Sequence, residues 1–405
     1  MTMLSLTLKS MRNRRFTLGL TLLSVAISVM LLLGVERLQS QLKQSFTQTI
    51  SGTDIIVGPR TSQVNLLLYT VFGIGEPTNS LSLAAWQHIK SMPGVSWTVP
   101  LSFGDSHQGY RVVGTNQEYF ARRQYANKQG LIFQQGKPFE DEHQVVLGAQ
   151  VANALGYQIG QQLVLSHGVS KVSFSKHGNH PLKVAGILAQ TGTPIDQRIL
   201  VPLAALDEMH APMRDPHNPL NHDDISALYL GVEAPQDVLR VLRAINEFDA
   251  EPMTALLPLM TMQQVWRLMD SVQVGLLLLA AIVVASTLLT LLTNMLTSLS
   301  QRQREMAVLR ALGAAPRHIF SLLLAESLLV GVLGIVLGLA ALYGLQYAGA
   351  PYLQAVSGLR LSPDWPQPQE ITLLAMVLGC AMLVSLVPAW RAYRMTVHDG
   401  MQMRG

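Results

Sequence analysis

Charge, cysteine and catalytic motifs are all scarce in this 405-residue chain. Charged residues make up 13% of it, against roughly 25% in a soluble domain. Hydrophobic residues make up 49%, and the mean hydropathy is +0.28. This balance excludes an ordinary soluble enzyme and suggests a membrane protein with a soluble part. The one cysteine, Cys380, excludes an intramolecular disulfide and a cysteine-cluster zinc site. It lies in an apolar run, where it reads as a small packing residue. No G-x-x-x-x-G-K-[ST] occurs, and Gly136-Lys137 is the only Gly-Lys pair, so ATP is not bound through a P-loop in these residues. H-E-x-x-H, G-x-S-x-G and G-x-G-x-x-G are also missing. The expectation is a non-catalytic chain that binds no cofactor of its own.

What is present is long apolar sequence. Spanning a bilayer takes about 20 apolar residues at 1.5 Å each. Four segments qualify: 16–35, 272–296, 319–347 and 371–390. The first follows Lys9, Arg12, Arg14 and Arg15 as a signal peptide would. It exceeds the 7–15 residues of a signal core, however, and no A-x-A site follows, so it reads as an uncleaved anchor. Basic residues cluster in 1–15, in 297–318 (Arg302, Arg304, Arg310 and Arg317) and in 391–405 (Arg391, Arg394 and Arg404). The connection 348–370 has only Arg360 against Asp364 and Glu370. The positive-inside rule therefore places both termini and 297–318 in the cytoplasm, and residues 36–271 on the opposite side, in a periplasm or outside the cell. Those 236 residues hold 17 Lys/Arg and 20 Asp/Glu. The sequence pI near 9.2 thus comes from the cytoplasmic fringes and is no sign of nucleic-acid binding.

Segment 36–271 opens and closes with amphipathic stretches: Leu38, Leu42 and Phe46 at one end, Met262, Val265, Leu268/Met269 and Val272 at the other. They read as helical stalks that either pack on the domain or carry membrane motion into it. Between them the pattern is mixed α/β. Strands are expected at 54–58, 110–114, 162–166, 182–188, 198–202 and 228–232, and helices at 81–92, 149–155, 203–209 and 235–247. Gly156 fits a helix C-cap. Segment 66–75 is apolar but too short for a fifth span. The fold class is an α-helical membrane protein with four transmembrane helices and a large mixed α/β extracytoplasmic domain between helices 1 and 2.

Nine of eleven histidines lie in 36–271. His177 and His180 sit in SKHGNHP, and His210, His217 and His222 in MHAPMRDPHNPLNHDD. Imidazole and carboxylate can hold zinc, but the spacing matches no tight motif. A solvated polar loop and a metal contact both stay open. His107 and His143 read as surface residues. Glu326 lies within the third span, where it is either snorkelled or hydrogen-bonded between helices, or else takes part in conduction. Gly331, Gly334 and Gly338 form a small-residue stripe suited to close helix packing.

Between the second and third spans stands RQREMAVLRALGA, residues 302–314. As a helix it places Met306, Leu309 and Leu312 or Gly313 on one face and Arg302, Arg304 and Arg310 largely elsewhere. Gly313 and Pro316 end it. Some three turns do not hold in water alone, so it needs the bilayer surface or a partner's groove.

This segment resembles the signature after the second span of MacB/FtsX-type ABC transporter permeases. The resemblance extends to KSMRNRRFTLGLTLLSVAISV, to VVLGAQVANALGYQIGQQLVL at 145–165 and to LVPAWRAYRMTVHDGM at 386–401, where the family often has a proline at Val397 or His398. It implies a four-span permease, as a homodimer or paired with a second permease, served by separate ATPase subunits that bind ATP and Mg. Arg302, Arg304, Glu305, Met306, Leu309 and Arg310 would contact the ATPase. A periplasmic adaptor or binding protein is a further implied partner. Efflux, lipoprotein movement and switching of a periplasmic enzyme stay open, with the histidines favouring a metal-linked task. The alternative is a membrane-tethered periplasmic sensor or binding module independent of any ATPase; a membrane-anchored metalloenzyme using the histidines is a third class.

Overall fold

The computed structural model describes residues 15–126, 128–167, 181–210, 225–301, 315–357 and 365–394. The chain divides into two compact units. One comprises 1–40, 271–349 and 362–405, the other 41–270 and 350–361.

Four helices make up the first unit: α1 (Arg15–Thr49), α8 (Pro258–Gln301), α9 (Pro316–Ser357) and α10 (Pro368–Arg394). Each is long and apolar enough to cross a membrane. All four outrun their apolar runs, because backbone hydrogen bonding does not stop where hydropathy falls. Pro316 and Pro368 open their helices, where a missing N–H costs nothing.

In the second unit lie β1 (Ile55–Pro59), α2 (Gln63–Leu67) with a π turn (Leu68–Phe72), α3 (Leu83–Lys90), β2 (Val95–His107), β3 (Tyr110–Thr115), α4 (Glu118–Arg122), β4 (Gln124–Tyr125), β5 (Gln129–Gly130), β6 (Phe133–Gly136) and β7 (Gln144–Leu147). After these come α5 (Ala149–Leu155), β8 (Gln162–Leu163), β9 (Ser166–His167), β10 (Leu182–Leu188), β11 (Arg198–Pro202), α6 (Leu203–His210), β12 (Ala227–Val232), α7 (Asp237–Asn246) and β13 (Met253–Leu256). A mixed sheet runs β13-β1-β12-β2-β3-β11-β7-β10-β6, with β8 on β10 and β9 on β2. The pairs β3–β11 and β7–β10 are parallel. The strand expected at 162–166 is in fact two short pieces, because the chain changes partner from β10 to β2 within it.

Three apolar clusters hold this unit together. Val151, Ala152, Ala205 and Leu206 of α5 and α6 pack with Val145, Val184 and Ile199. Ala85, Ile89, Val241 and Ile245 of α3 and α7 pack with Ile55, Leu228 and Leu230. The third, richest in aromatics, includes Tyr69, Tyr119, Tyr229 and Phe139. The stalk residues join it: the Phe46 ring lies tilted against Phe72 at 4.5 Å and edge-on to Trp266 at 5.6 Å, and Met262 is buried. Leu268, Met269 and Val272, expected on the same packing face, are exposed.

The short apolar segment 66–75 is the buried α2 and its π turn. The turn is pinned by Arg198, whose Nη2 donates to the carbonyls of Thr70 and Val71, both at 2.7 Å. Tyr229 donates to the Thr70 carbonyl at 3.0 Å. A π turn frees carbonyls from the regular ladder, and buried carbonyls need donors. Gly156 closes α5 at φ +71, as its C-cap position requires.

His107, expected at the surface, is 8% exposed. Its Nδ1 lies 2.7 Å from the Val164 carbonyl and its Nε2 2.9 Å from the Tyr157 hydroxyl. A neutral ring suits both contacts, donating at Nδ1 and accepting at Nε2. Burial lowers its pKa below the usual 6.5. His143 is exposed beside Asp141.

Candidate functional site

The membrane unit is built around α1, which is the most enclosed of the four spans. A different chemistry joins it to each neighbour.

Towards α8 the contact is polar. Asn294 Nδ2 donates to Thr21 Oγ1 at 2.6 Å, and Ser28 Oγ meets Thr287 Oγ1 at 2.6 Å. Thr21 and Ser28 pass their own protons to backbone carbonyls one turn back, at Thr17 and Ser24. Thr287 is therefore the donor to Ser28. The contacts recur one heptad apart on both helices, which keeps them on one seam. Interhelical hydrogen bonds of this kind each contribute about 0.6 kcal/mol in membranes.

Towards α9 the contact is steric. A Cβ on Gly334 would collide with Val25, and one on Gly338 would sit 2.7 Å from the Ala26 carbonyl and 2.9 Å from Val29 Cβ. The third glycine, Gly331, faces α10 instead, where an added Cβ would sit 2.9 Å from Leu378 Cδ1. Only hydrogen fits at the two positions against α1, so the backbones approach closely.

Towards α10 the contact is ionic. Arg37 Nε donates to Glu370 Oε1 and Nη2 to Oε2, both at 2.8 Å, in a bidentate pair with each side chain 4% exposed. Nη1 donates to Gln346 at 3.1 Å and Nη2 to the Tyr343 hydroxyl at 3.2 Å, both on α9. The guanidinium also lies 4.7 Å from the Tyr343 ring centre. Glu370 is the third residue of α10 and accepts the Gln367 N–H at 3.1 Å, as a capping-box acid does. One network thus ties three helices where α1 leaves its apolar run and α10 enters its own. Two charges at opposite-sign borders of two apolar runs are the only sequence signal for it, and the charge count did not single them out.

At the other end of the unit α1, α8 and α9 enclose a cavity of about 40 Å3 lined by Thr17, Thr21, Asn294, Ser298, Glu326 and Ser327 among apolar neighbours. Glu326 is 8% exposed and faces this cavity. Turned inward among hydroxyl and amide groups, it does not snorkel to the surface.

The segment carrying Arg302, Arg304, Glu305, Met306, Leu309 and Arg310 lies outside the described residues, as do His177, His180, His217, His222 and the side chain of His210. Among the described residues, no three His, Cys, Asp or Glu side chains converge as a metal site would require.

Four apolar helices, an α/β domain between the first and second, and polar contacts locking the helices into one bundle define a multi-span membrane protein with an extracytoplasmic domain. Residues 18–248 match the MacB-like periplasmic core domain, and residues 277–397 match the FtsX-like permease C-terminal region. The chain belongs to the MacB/FtsX-like ABC transporter permease family.

Similar proteins include the ABC transporter permease YtrF of Bacillus subtilis (strain 168), 28% identical over 136 residues that make up 31% of each chain. The macrolide export ATP-binding/permease protein MacB of Azoarcus sp. (strain BH72) is 24% identical over 96% of this chain and 57% of its own length. The chain therefore spans well under two thirds of either relative. Among solved structures, it is similar to the periplasmic region of MacB from Actinobacillus actinomycetemcomitans, at 12% identity and TM-score 0.36, over 54% of this chain and 97% of that one. It is also similar to the extracellular domain of the noncanonic ABC-type transporter YknZ from Gram-positive bacteria, at 15% identity and TM-score 0.32, over 50% of this chain and 98% of that one.

Proposed function

We propose that this chain is the permease subunit of an ABC transporter that converts ATP hydrolysis by a partner ATPase into conformational change of its extracytoplasmic domain. The observation that carries the reading is continuity: α1 and α8 each run without a break from an apolar span into residues of the α/β unit. A helix transmits displacement along its axis because its backbone bonds are all internal. The network at Arg37 and the seam at Thr21 and Ser28 make the four spans respond together. ATP and Mg belong to the partner, since the 405 residues contain no P-loop. Residues 302–310 dock that ATPase on the cytoplasmic side, where the positive-inside rule puts them. Two permease copies form the working unit in the inner membrane, and a periplasmic adaptor or binding protein meets the outer domain. The histidines at 177, 180, 210, 217 and 222 favour a metal-linked task.

The test is a detergent pull-down of the tagged protein from its host with mass spectrometry, beside a variant carrying Glu305→Arg and Arg310→Glu. A P-loop ATPase recovered with the native chain and lost with the variant supports the reading. Absence of an ATPase, or its retention by the variant, overturns it in favour of a sensor.

A further inference from the structure

The membrane unit has a charged end that the transmission reading does not use. It is the end where α1 and α9 begin and α8 and α10 finish: Leu299, Ile319, Ala389 and Ala392 pack there in one cluster, with Leu18 against it. The described charged side chains near these four helix ends are Arg15, Arg317, Arg391 and Arg394, and no carboxylate stands among them. The first acid along α9, Glu326, is turned into the enclosed cavity.

The last turns of α10 have two distinct faces. Ala381, Ser385, Pro388, Ala389 and Ala392 are buried along one of them. Leu383, Leu386, Val387, Trp390 and Tyr393 are exposed on the other at helical spacing, and Arg394 follows on that face one turn after Trp390. Small residues thus turn towards the bundle, and large ones form an outward apolar stripe of the kind that meets acyl chains. The stripe ends in a stacked pair. The Trp390 and Tyr393 rings lie 6.1 Å apart at 23° and are 59% and 47% exposed. Such rings, apolar in body and polar at the tip, settle where hydrocarbon gives way to headgroups. Arg391 flanks the pair. Arg391 and Arg394 are both exposed, and among the described residues neither guanidinium has a hydrogen bond or an ion pair. Each offers five N–H donors in a planar fork, a geometry matched to phosphate oxygens.

We propose that this end of α10 binds an anionic phospholipid, its phosphate held by Arg391 and Arg394 and its glycerol backbone seated against the Trp390–Tyr393 stack. A lipid phosphate satisfies the arginines and the apolar stripe together. A soluble anion meets only the arginines, and a zwitterionic headgroup brings its own ammonium against them. The proposal is independent of ATPase coupling, and either can fail alone.

The test is native mass spectrometry of the full chain in detergent with phosphatidylglycerol and phosphatidylcholine of identical acyl chains. Phosphatidylglycerol should bind more tightly, by about fivefold for each arginine beside the anionic headgroup. Arg391→Gln or Arg394→Gln, at exposed positions, should each remove one such factor, and the double variant should bind the two lipids alike. Trp390→Ala should weaken both lipids by a similar factor, since the rings seat the part that the two share. Lys43→Gln, at an exposed position on α1 beyond its apolar run, should change neither. Equal binding of the two lipids by the native chain, an unchanged preference in the double variant, or displacement of phosphatidylglycerol by soluble glycerol phosphate would overturn the proposal. Loss of a co-purifying ATPase by the double variant, with lipid preference intact, would assign the surface to that protein instead.

Discussion

Replacing Arg37 by methionine tests whether the membrane bundle is locked at the edge where α1 leaves its apolar run. The variant keeps the length of the side chain and removes its charge. It leaves Glu370 at 4% side-chain exposure with the Gln367 N–H as its remaining hydrogen bond among the described residues, and it leaves Gln346 and the Tyr343 hydroxyl without Arg37. An uncompensated buried charge costs about 3–5 kcal/mol, whereas replacing both partners by apolar residues of similar volume is close to neutral. Arg37→Met should therefore be far more harmful than the double variant Arg37→Met, Glu370→Met. The exchange Arg37→Glu, Glu370→Arg should fall between them, because Gln346 and Tyr343 then face a carboxylate. Mixed-micelle unfolding can be followed by labelling the single thiol, Cys380, which is half-buried on α10 and gains reactivity as that helix detaches. A cost below about 1 kcal/mol for Arg37→Met, the range of solvent-screened pairs, would refute the argument.

Three further outcomes follow from other contacts. Gly338→Leu should cost about 1–3 kcal/mol by overpacking against Ala26 and Val29, while Gly344→Ala, with nothing within 4 Å, should be neutral; monodispersity on size exclusion after heating separates them. Arg198→Met strips donors from the Thr70 and Val71 carbonyls and should speed amide exchange and proteolysis around the π turn ahead of the rest of the α/β unit. The His107 pKa is depressed in the folded state, so the unfolded chain binds the extra proton: stability is complete above 6.5 and declines as pH falls through 6.5 towards the folded value, and His107→Gln should flatten that decline in urea melts at pH 5–8.

The parts of the architecture legible in the sequence are those with a local signature. Apolar runs of sufficient length mark the four spans, and β10, β11 and α5 occupy their expected residues because β-branched runs and flanking glycines delimit them. The longest strand, β2, carries no such mark. Pro100 lies inside it although it pairs on both sides, and Gly104, Asp105 and Ser106 are residue types disfavoured in strand interiors. Neighbouring strands supply what its own residues do not. The Arg37–Glu370 pair joins positions 333 residues apart, and neither has a neighbour in sequence that points to the other. His107 misleads for the same reason, since Tyr157 and Val164, which enclose it, are distant in the chain.

The polar seam between α1 and α8 has a consequence for motion. Thr290 and Ser24 donate to carbonyls of their own helices, at Ser286 and Leu20, and among the described residues both hydroxyl oxygens can still accept. Sliding α8 past α1 by one turn, about 5.4 Å, would bring Asn294 to Thr17, Thr290 to Thr21 and Thr287 to Ser24. Two interhelical hydrogen bonds would be exchanged for two, Asn294 to Thr17 and Thr287 to Ser24, while Thr21 and Thr290 keep their protons on their own helices. The seam is thus a ratchet with two teeth, and a stroke of that length is available to the first pair of helices without breaking the chemistry that joins them.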